Sequence, residues 1–393
     1  LTIMAGMNQY MLRQACRITT PIFFGYVAIG IPFGLMIVQA GYPWWISPFM
    51  CATMYAGAGQ YIAAGLFAAG ATLPEIMLTE FFVNIRHIVY GLSLITKTKG
   101  TGRWKPYIIY ALTDETYAVL TGTELPHGAE PGPFFGAIAL LDQLYWTLGG
   151  TIGALAYRVL EHYQLAQYLD GVDFALTALF TVILLSQVQK SRDLLPPALG
   201  AGSAAVAVLL CRAGLLGSTN IMLAAIILGV TGIVLVRGRQ FYRERNVAVR
   251  PAAFAAFAAG AALVLALLVA AAGWQADSGE AAAVQQRLPL ARALAATMVS
   301  AAIIFGERLF PFALFSRKDP PEIIRFIEKY IPSLVIAMLI VYCLKDVQPA
   351  SLHSALPPAA GIAAALAFQL LTKNSMISIF GSTALFMFLS HVL

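Results

Sequence analysis

The sequence predicts an all-α fold: a polytopic transmembrane helical bundle with about 11–13 membrane segments. Three observations carry this. Of 393 residues, 59% are apolar and only 11% charged, against about 25% charged in a soluble domain. Apolar segments recur at about 17–25 residues, the length that crosses ~30 Å of hydrocarbon at ~1.5 Å per residue. Stretches such as IMLAAIILGVTGIVLV are apolar all the way round, unlike the alternating strands of a β-barrel.

In chain order, candidate segments lie near 18–39, 44–69, 75–96, 106–122, 134–157, 172–188, 196–211 and 217–236, then 253–273, 288–312, 328–346, 356–371 and 376–392. Arg13 and Arg17 precede the first segment, so the start reads as a cytoplasmic flank, not a cleavable signal peptide. The basic runs RGRQFYRERNVAVR (237–250) and SRKDPPEIIRFIEK (316–329) are assigned to the cytoplasm by the positive-inside rule. An even number of spans must then precede residue 237. Eight full spans meet that parity but put KTKGTGRWK (97–105) outside. If 44–69 and 106–122 are re-entrant, six remain and this loop lies inside. The sequence leaves both open.

Those two segments carry breaks, MYAGAGQY (54–61) and LTDETY (112–117). Non-helical backbone at membrane depth is tolerated only where protein or a water-filled cavity surrounds it, so both point to a substrate pathway. Met54, Tyr55, Gly57, Gly59 and Gln60 are candidate substrate contacts from the first break, joined by Asn84 and Trp146.

FFVNIRHIVYGLSL (81–94) places Glu80, Asn84, His87 and Gly91 within about 60° of one another on one helix, with Arg86, Tyr90 and Lys97 on the next stripe. Charged groups at membrane depth cost about 2.5–3.5 kcal/mol on insertion scales and mark either pathways or paired structural sites. Glu80, Arg86 and His87 are candidate coupling or gating residues on that ground. Asp114 shares a face with Tyr110, Tyr117 and Thr121, while Glu115 faces Ala111, Ala118 and Gly122. A carboxylate whose charged form is disfavoured by desolvation can exchange protons. Asp114 is the first candidate, with Glu115 and Asp142 beside it; the alternative is a carboxylate fixed by Arg86 or by a helix terminus.

The 134–157 segment carries GxxxG at 149–153, a helix-packing pattern, and Gly30 and Gly34 in GIPFG allow close packing too, with Pro32 predicting a kink or break. FFGYVAIGIPFG is faintly echoed by FFGAIALLDQLY, as in a repeat. Glu307 and Arg308 in ERLFPFALF are read as snorkelling near the cytoplasmic end of a span, and Lys373 and Asn374 as a cytoplasmic loop. Cys16, Cys51, Cys211 and Cys343 show no metal or disulfide spacing. The chain lacks GxxxxGK[ST], HExxH and GxSxG motifs, so ATPase, metalloprotease and hydrolase chemistry have no support, and neither a metal nor a cofactor is expected. The net charge of +6 sits mostly in loops, where topology explains it better than nucleic-acid binding.

After the 237–250 linker comes AAFAAFAAGAALVLALLVAAAG, with no polar group a function could use. An odd number of crossings is needed to join a cytoplasmic linker to a span at 288–312 that begins outside. The chain is therefore read as three parts: a module at 1–236, a linker plus adaptor helix at 237–287, and a second module at 288–393.

GYVAIGIPFGLMI, MYAGAGQYIAAGLFAAGA, FFVNIRHIVYGLSL, ALTDETYAVL and VDFALTALFTVILLSQ, in this order, resemble the large subunit of the azaleucine-resistance (AzlC-type) branched-chain amino acid exporters. ERLFPFALF, YIPSLVIAMLIVYCL and TKNSMISIFG resemble the small AzlD-type subunit. The family pattern is two polypeptides; here they are joined, so the AzlD-like partner is supplied in cis. The resemblance implies export of leucine, isoleucine, valine and methionine across a bacterial inner membrane, coupled to protons, by a protein that is not an enzyme. The N-terminus is expected in the cytoplasm and the C-terminus in the periplasm. An ion channel using the same polar residues and a scaffold with paired helices are the alternatives, and a homo-oligomer stays open.

Overall fold

The computed structural model describes residues 9–126, 128–165, 169, 171–217, 220–244, 251–277, 287–315, 322–348 and 351–392. Among them the chain is helical with no strand. The order is α1 (Gln9–Gln39), α2 (Ile46–Thr53), α3 (Gly57–Ala68), α4 (Leu73–Asn84), α5 (Arg86–Leu94), a 3₁₀ turn (Gly102–Trp104), α6 (Lys105–Tyr110), α7 (Asp114–Gly122) and α8 (Pro131–His162), then α9 (Phe174–Ser191), α10 (Leu195–Arg212), α11 (Ile221–Glu244), α12 (Pro251–Asp277), α13 (Leu290–Phe315), α14 (Glu322–Cys343), α15 (Leu352–Thr372) and α16 (Ser375–Val392). Seven of these, α1, α9, α10, α11, α13, α15 and α16, are long and apolar enough to cross a membrane.

The chain forms two compact units that cross its linear division: Leu1–Ala68, Asn84–Asp173 and Leu288–Pro320 in the first, Ala69–Val83, Phe174–Arg287 and Pro321–Leu393 in the second. In the second unit small residues set the helix spacing. A Cβ on Gly200 of α10 would lie 2.1 Å from the Leu334 carbonyl of α14, and one on Gly361 of α15 2.5 Å from the Phe174 ring of α9. Phe174 in turn stacks on Phe386 of α16 at 4.3 Å. Lys373 ends α15 in the left-handed region, and the Asn374 side chain accepts from the Met376 amide at 2.9 Å, so the expected α15–α16 loop is a helix-ending turn. Phe257, Leu263 and Leu267 of α12 are exposed, consistent with a helix that presents apolar side chains to lipid.

The first unit is built on α1 and α8. A Cβ on Gly30 would touch the Gly149–Gly150 backbone, one on Gly34 would lie 2.1 Å from the Gly150 carbonyl, and one on Gly153 2.0 Å from the Ile31 carbonyl. The contact partners rise together along both helices, from Thr19 beside Tyr145 to Gly34 beside Ala154, so α1 and α8 run parallel. The two helices that carry the faint sequence echo therefore lie side by side. Pro32 stays inside one continuous helix, so of the kink or break expected there the break does not occur, and Gly149, Gly150 and Gly153 of α8 pack against this stretch.

Both broken segments are re-entrant in this unit. Tyr42, just before α2, packs its ring 6.1 Å from Phe67 near the end of α3, and its hydroxyl donates to the Phe67 carbonyl at 3.3 Å. The α2–α3 pair thus enters and leaves at the Gln39 end of α1. Its turn at 54–56 lies by Tyr26, with the Tyr55 and Tyr26 rings 6.5 Å apart, about 20 Å along α1 from Gln39 at ~1.5 Å per residue. The α6–α7 pair does the same from the opposite end. Lys97 donates to the Thr123 carbonyl at 2.6 Å, and Trp104 lies against Gly132 and Gly136. Trp104 shares an apolar cluster with Met11, Ala15 and Leu94 at the Gln9 end, while the tip at 111–113 again reaches Tyr26. Of the two arrangements left open by the sequence, the re-entrant one is found. The expected single helix at 75–96 also has a break, at Ile85, where the Ile88 amide bonds to Ile85 instead of Asn84.

α13 runs antiparallel to α1. The Leu288 amide, two residues before it, donates to the Phe67 carbonyl at 2.9 Å, and Phe312 reaches the cluster at the Gln9 end. A Cβ on Gly91 of α5 would lie 2.7 Å from Pro311, so α5 and α13 meet closely.

Candidate functional site

Two hairpin tips, one from each end, meet midway along α1 at Tyr26. The reason is local. Tyr55 takes φ +43°, which stops α2 and starts α3 two residues later. Thr113 takes an extended conformation, and its hydroxyl accepts from the Thr116 amide at 3.2 Å, so it is the N-cap that restarts the chain as α7. Half-helix ends are thus held at membrane depth, where unpaired backbone groups are costly.

The polar groups around them are buried and largely satisfied by one another. Tyr26 Oη lies 2.5 Å from Thr113 Oγ1 and donates to Glu115 Oε2 at 2.9 Å. Thr116 Oγ1 donates to Asp142 Oδ2 at 2.8 Å. Asp142 is wholly buried, and its Oδ1 has no hydrogen-bond partner among the described residues. Trp146 Nε1 donates to Gln60 Oε1 at 2.7 Å, an oxygen that also accepts the Ala56 amide at 3.3 Å. Gly57 leaves room for the Trp146 ring, 3.2 Å from where its Cβ would stand. Tyr26 meets Trp146 edge-on at 5.4 Å.

On the outer side of α7, Arg86 Nη2 pairs with Asp114 Oδ2 at 2.9 Å, with Arg86 6% and Asp114 24% exposed. The Tyr90 and Tyr117 rings stack at 4.5 Å beside this pair. His87 Nδ1 lies 2.8 Å from the Asn84 carbonyl across the α4–α5 break.

Arg308 of α13 reaches the two tips. It is 0% exposed. Its Nη2 donates to the Tyr55 carbonyl at 2.5 Å and its Nη1 to the Tyr110 carbonyl. Tyr110 Oη donates in turn to the Ala52 carbonyl, so the C-terminal ends of α2 and α6 face the same guanidinium.

Residues 21–160 match the family model described as AzlC protein, and residues 293–390 match the one described as branched-chain amino acid transport protein (AzlD). An uncharacterized membrane protein of Helicobacter pylori is 34% identical over 220 residues, 56% of this chain and 92% of the relative. The branched-chain amino acid transport protein AzlC of Bacillus subtilis is 32% identical over 181 residues, 46% of this chain and 69% of the relative. The chain belongs to the AzlC family. It carries an AzlD domain in the same polypeptide, and it is a multi-pass membrane protein. The inner membrane protein YgaZ of Escherichia coli is 30% identical over 190 residues, 46% of this chain and 75% of that protein. No solved structure matches the chain.

Of the residues singled out in the AzlC stretch, Tyr55, Gly57, Gln60, Trp146, Glu115 and Asp142 gather around Tyr26. Met54 and Gly59 are buried in the α2–α3 hairpin. Arg86 reaches α7 through Asp114, His87 and Asn84 meet each other at the α4–α5 break, and Glu80 is buried on α4 in the second unit. Asp114, the first candidate for proton exchange, is held by Arg86; the alternative of a carboxylate fixed by that arginine describes it. The snorkelling expected for Glu307 and Arg308 is not found, since both are buried. The guanidinium has carbonyl partners at mid-helix depth, which removes the need to reach water.

Three contributors were missed. Tyr26 falls at i, i+4 and i+8 with Gly30 and Gly34, the close-packing side of α1, and that spacing could have found it. Thr113 sits before the DE pair that opens α7, an N-cap signature. Thr116 carried no signal separable from an ordinary helix threonine.

Proposed function

We propose that this AzlC–AzlD chain is a secondary transporter that exports branched-chain amino acids, leucine, isoleucine, valine and methionine, from the cytoplasm across a bacterial inner membrane, driven by protons. The observation that carries the reading is the meeting of two oppositely entering hairpins at Tyr26. Transporters bind substrate near mid-membrane at discontinuous helices, where half-helix ends offer unpaired backbone groups. The N-terminus of α7, with its partial positive charge, suits a substrate carboxylate. Asp142 Oδ1, with no hydrogen-bond partner among the described residues, suits the ammonium. Met54, Tyr55 and Trp146 supply apolar walls, and Gln60 holds the Trp146 indole. A pocket of this kind separates side chains one methylene apart only about 10- to 200-fold, so several aliphatic amino acids share it.

The substrate class is also that in the name of the Bacillus subtilis relative and in the description of the AzlD model. In this reading Asp142 and Glu115 carry the coupling proton, while the Arg86–Asp114 pair and His87 steady the gate. Positive-inside charge supports a cytoplasmic position for the 97–105 loop and Gln9 in this reading.

Reconstitution into proteoliposomes tests this. Saturable counterflow of leucine, competed by isoleucine and valine and stimulated by a proton gradient, is expected. Non-saturable ion flux would replace the reading with a channel, and absence of both would leave a scaffold.

A further inference from the structure

We propose that Arg308 is a positioning residue through which the AzlD stretch clamps both re-entrant tips of the AzlC stretch, so that the AzlC site is complete only with α13 in place. The clamp rests on the transport reading only for its activity measurement.

The chemistry of the side chain is the first ground. A fully buried guanidinium is costly unless its donors are used. Arg308 spends its two terminal nitrogens on main-chain carbonyls from different hairpins, Tyr55 and Tyr110. A planar, always-charged fork can hold two acceptors in fixed directions; a lysine ammonium is a point charge without that geometry.

The field at the position is the second. Helix C-termini carry partial negative charge on their unpaired carbonyls, and α2 and α6 both end here. Tyr110 Oη binds the Ala52 carbonyl of α2, and Gln143 Nε2 donates to Tyr110 Oη at 3.1 Å. The cation neutralises two converging helix ends that would otherwise repel each other.

Backbone conformation is the third. Tyr55 at φ +43° holds a conformation that is unfavourable for a non-glycine residue and persists where its surroundings over-determine it. Its carbonyl is gripped by Arg308, and its ring lies beneath the guanidinium, 6.0 Å from it. α13 itself is fixed at its start, where Tyr42 Oη donates to the Leu288 carbonyl at 2.9 Å and the Leu288 amide binds Phe67. α13 therefore grips the α2–α3 hairpin at its tip, while Leu288, two residues before it, holds the root.

Hydrogen exchange on the full chain in nanodiscs, paired with leucine counterflow, tests the clamp. With Arg308→Gln, amides at 54–60 and at 111–116 are expected to exchange faster by about tenfold or more in both tips together, while those of α15 stay unchanged. Counterflow should fall by a similar factor. Arg308→Lys keeps charge and stem but lacks the fork, so at least one tip should still loosen; this variant also decides the matter if Arg308→Gln does not fold. Tips that keep wild-type exchange in a folded variant, loosening confined to α13, or full restoration of both tips by lysine would overturn the proposal. Coupled loosening in a chain that shows no counterflow even unaltered would keep the clamp and remove the transport reading.

Discussion

The Tyr26 hydroxyl lies 2.5 Å from the Thr113 hydroxyl, joining the middle of α1 to the residue that caps α7. The same phenol donates to Glu115 at 2.9 Å. Tyr26→Phe keeps the ring against Trp146 and deletes both bonds. Leaving buried partners unsatisfied costs about 1–3 kcal/mol, so the variant should melt at lower temperature in detergent and transport more slowly. An unchanged melting temperature would mean that water takes over for the phenol.

The re-entrant path makes a prediction about sidedness. With the four native cysteines replaced, cysteines at Arg103 and Glu124, both exposed beside the roots of α6–α7, should react from one side of the membrane. Cysteines at Trp44 and Ala68 should react from the other. Labelling of Trp44 and Ala68 from opposite sides would turn α2–α3 into a full span.

Glycine spacing sets the distance between α1 and α8. A Cβ on Gly153 would stand 2.0 Å from the Ile31 carbonyl, backbone that cannot swing aside, whereas Gly65 of α3 has nothing within 4 Å. Gly153→Ala should destabilise by about 1–3 kcal/mol or more through overpacking. Gly65→Ala should be neutral or gain up to about 1 kcal/mol of helix propensity. Thermal unfolding of the two variants side by side checks this, and equal melting temperatures would argue against tight α1–α8 packing.

Asp114 and Asp142 should respond differently to the same change. Asp114→Asn strands the buried Arg86; breaking a fully buried pair costs about 3–5 kcal/mol, and the partial exposure of Asp114 reduces that to about 1–3 kcal/mol. Adding Arg86→Gln should recover part of the loss, a coupling read from a double-variant cycle. Asp142→Asn should fold, weaken leucine counterflow through the lost charge opposite the ammonium, and lose stimulation by a proton gradient. Retained proton stimulation in Asp142→Asn would take this residue out of coupling.

Much of the architecture was legible because membrane insertion is a harsh filter. Long apolar runs, a GxxxG at 149–153 and the breaks at 54–61 and 112–117 follow from what hydrocarbon tolerates, and the structure has helices, close packing and chain reversals at those places. The helical wheel of 80–97 was less informative. It assumes one uninterrupted helix, and the turn at Ile85 divides the stripe. Charge alone also misread Arg308: two positions from an aromatic–proline run, a guanidinium suggests an interface until its acceptors are seen.

The sequence by itself determined that the chain spans a membrane, that two segments are broken there, and that an AzlC stretch is continued by an AzlD stretch. These depend on composition and local backbone preference, which act over neighbouring residues. Only the tertiary structure decided that both broken segments turn back, that Asp114 is occupied by Arg86, and that Arg308 meets carbonyls from residues 55 and 110. Those outcomes depend on which donors and acceptors meet across 28 to 253 positions of chain. Pairing at that separation is set by helix packing, and no local pattern records it.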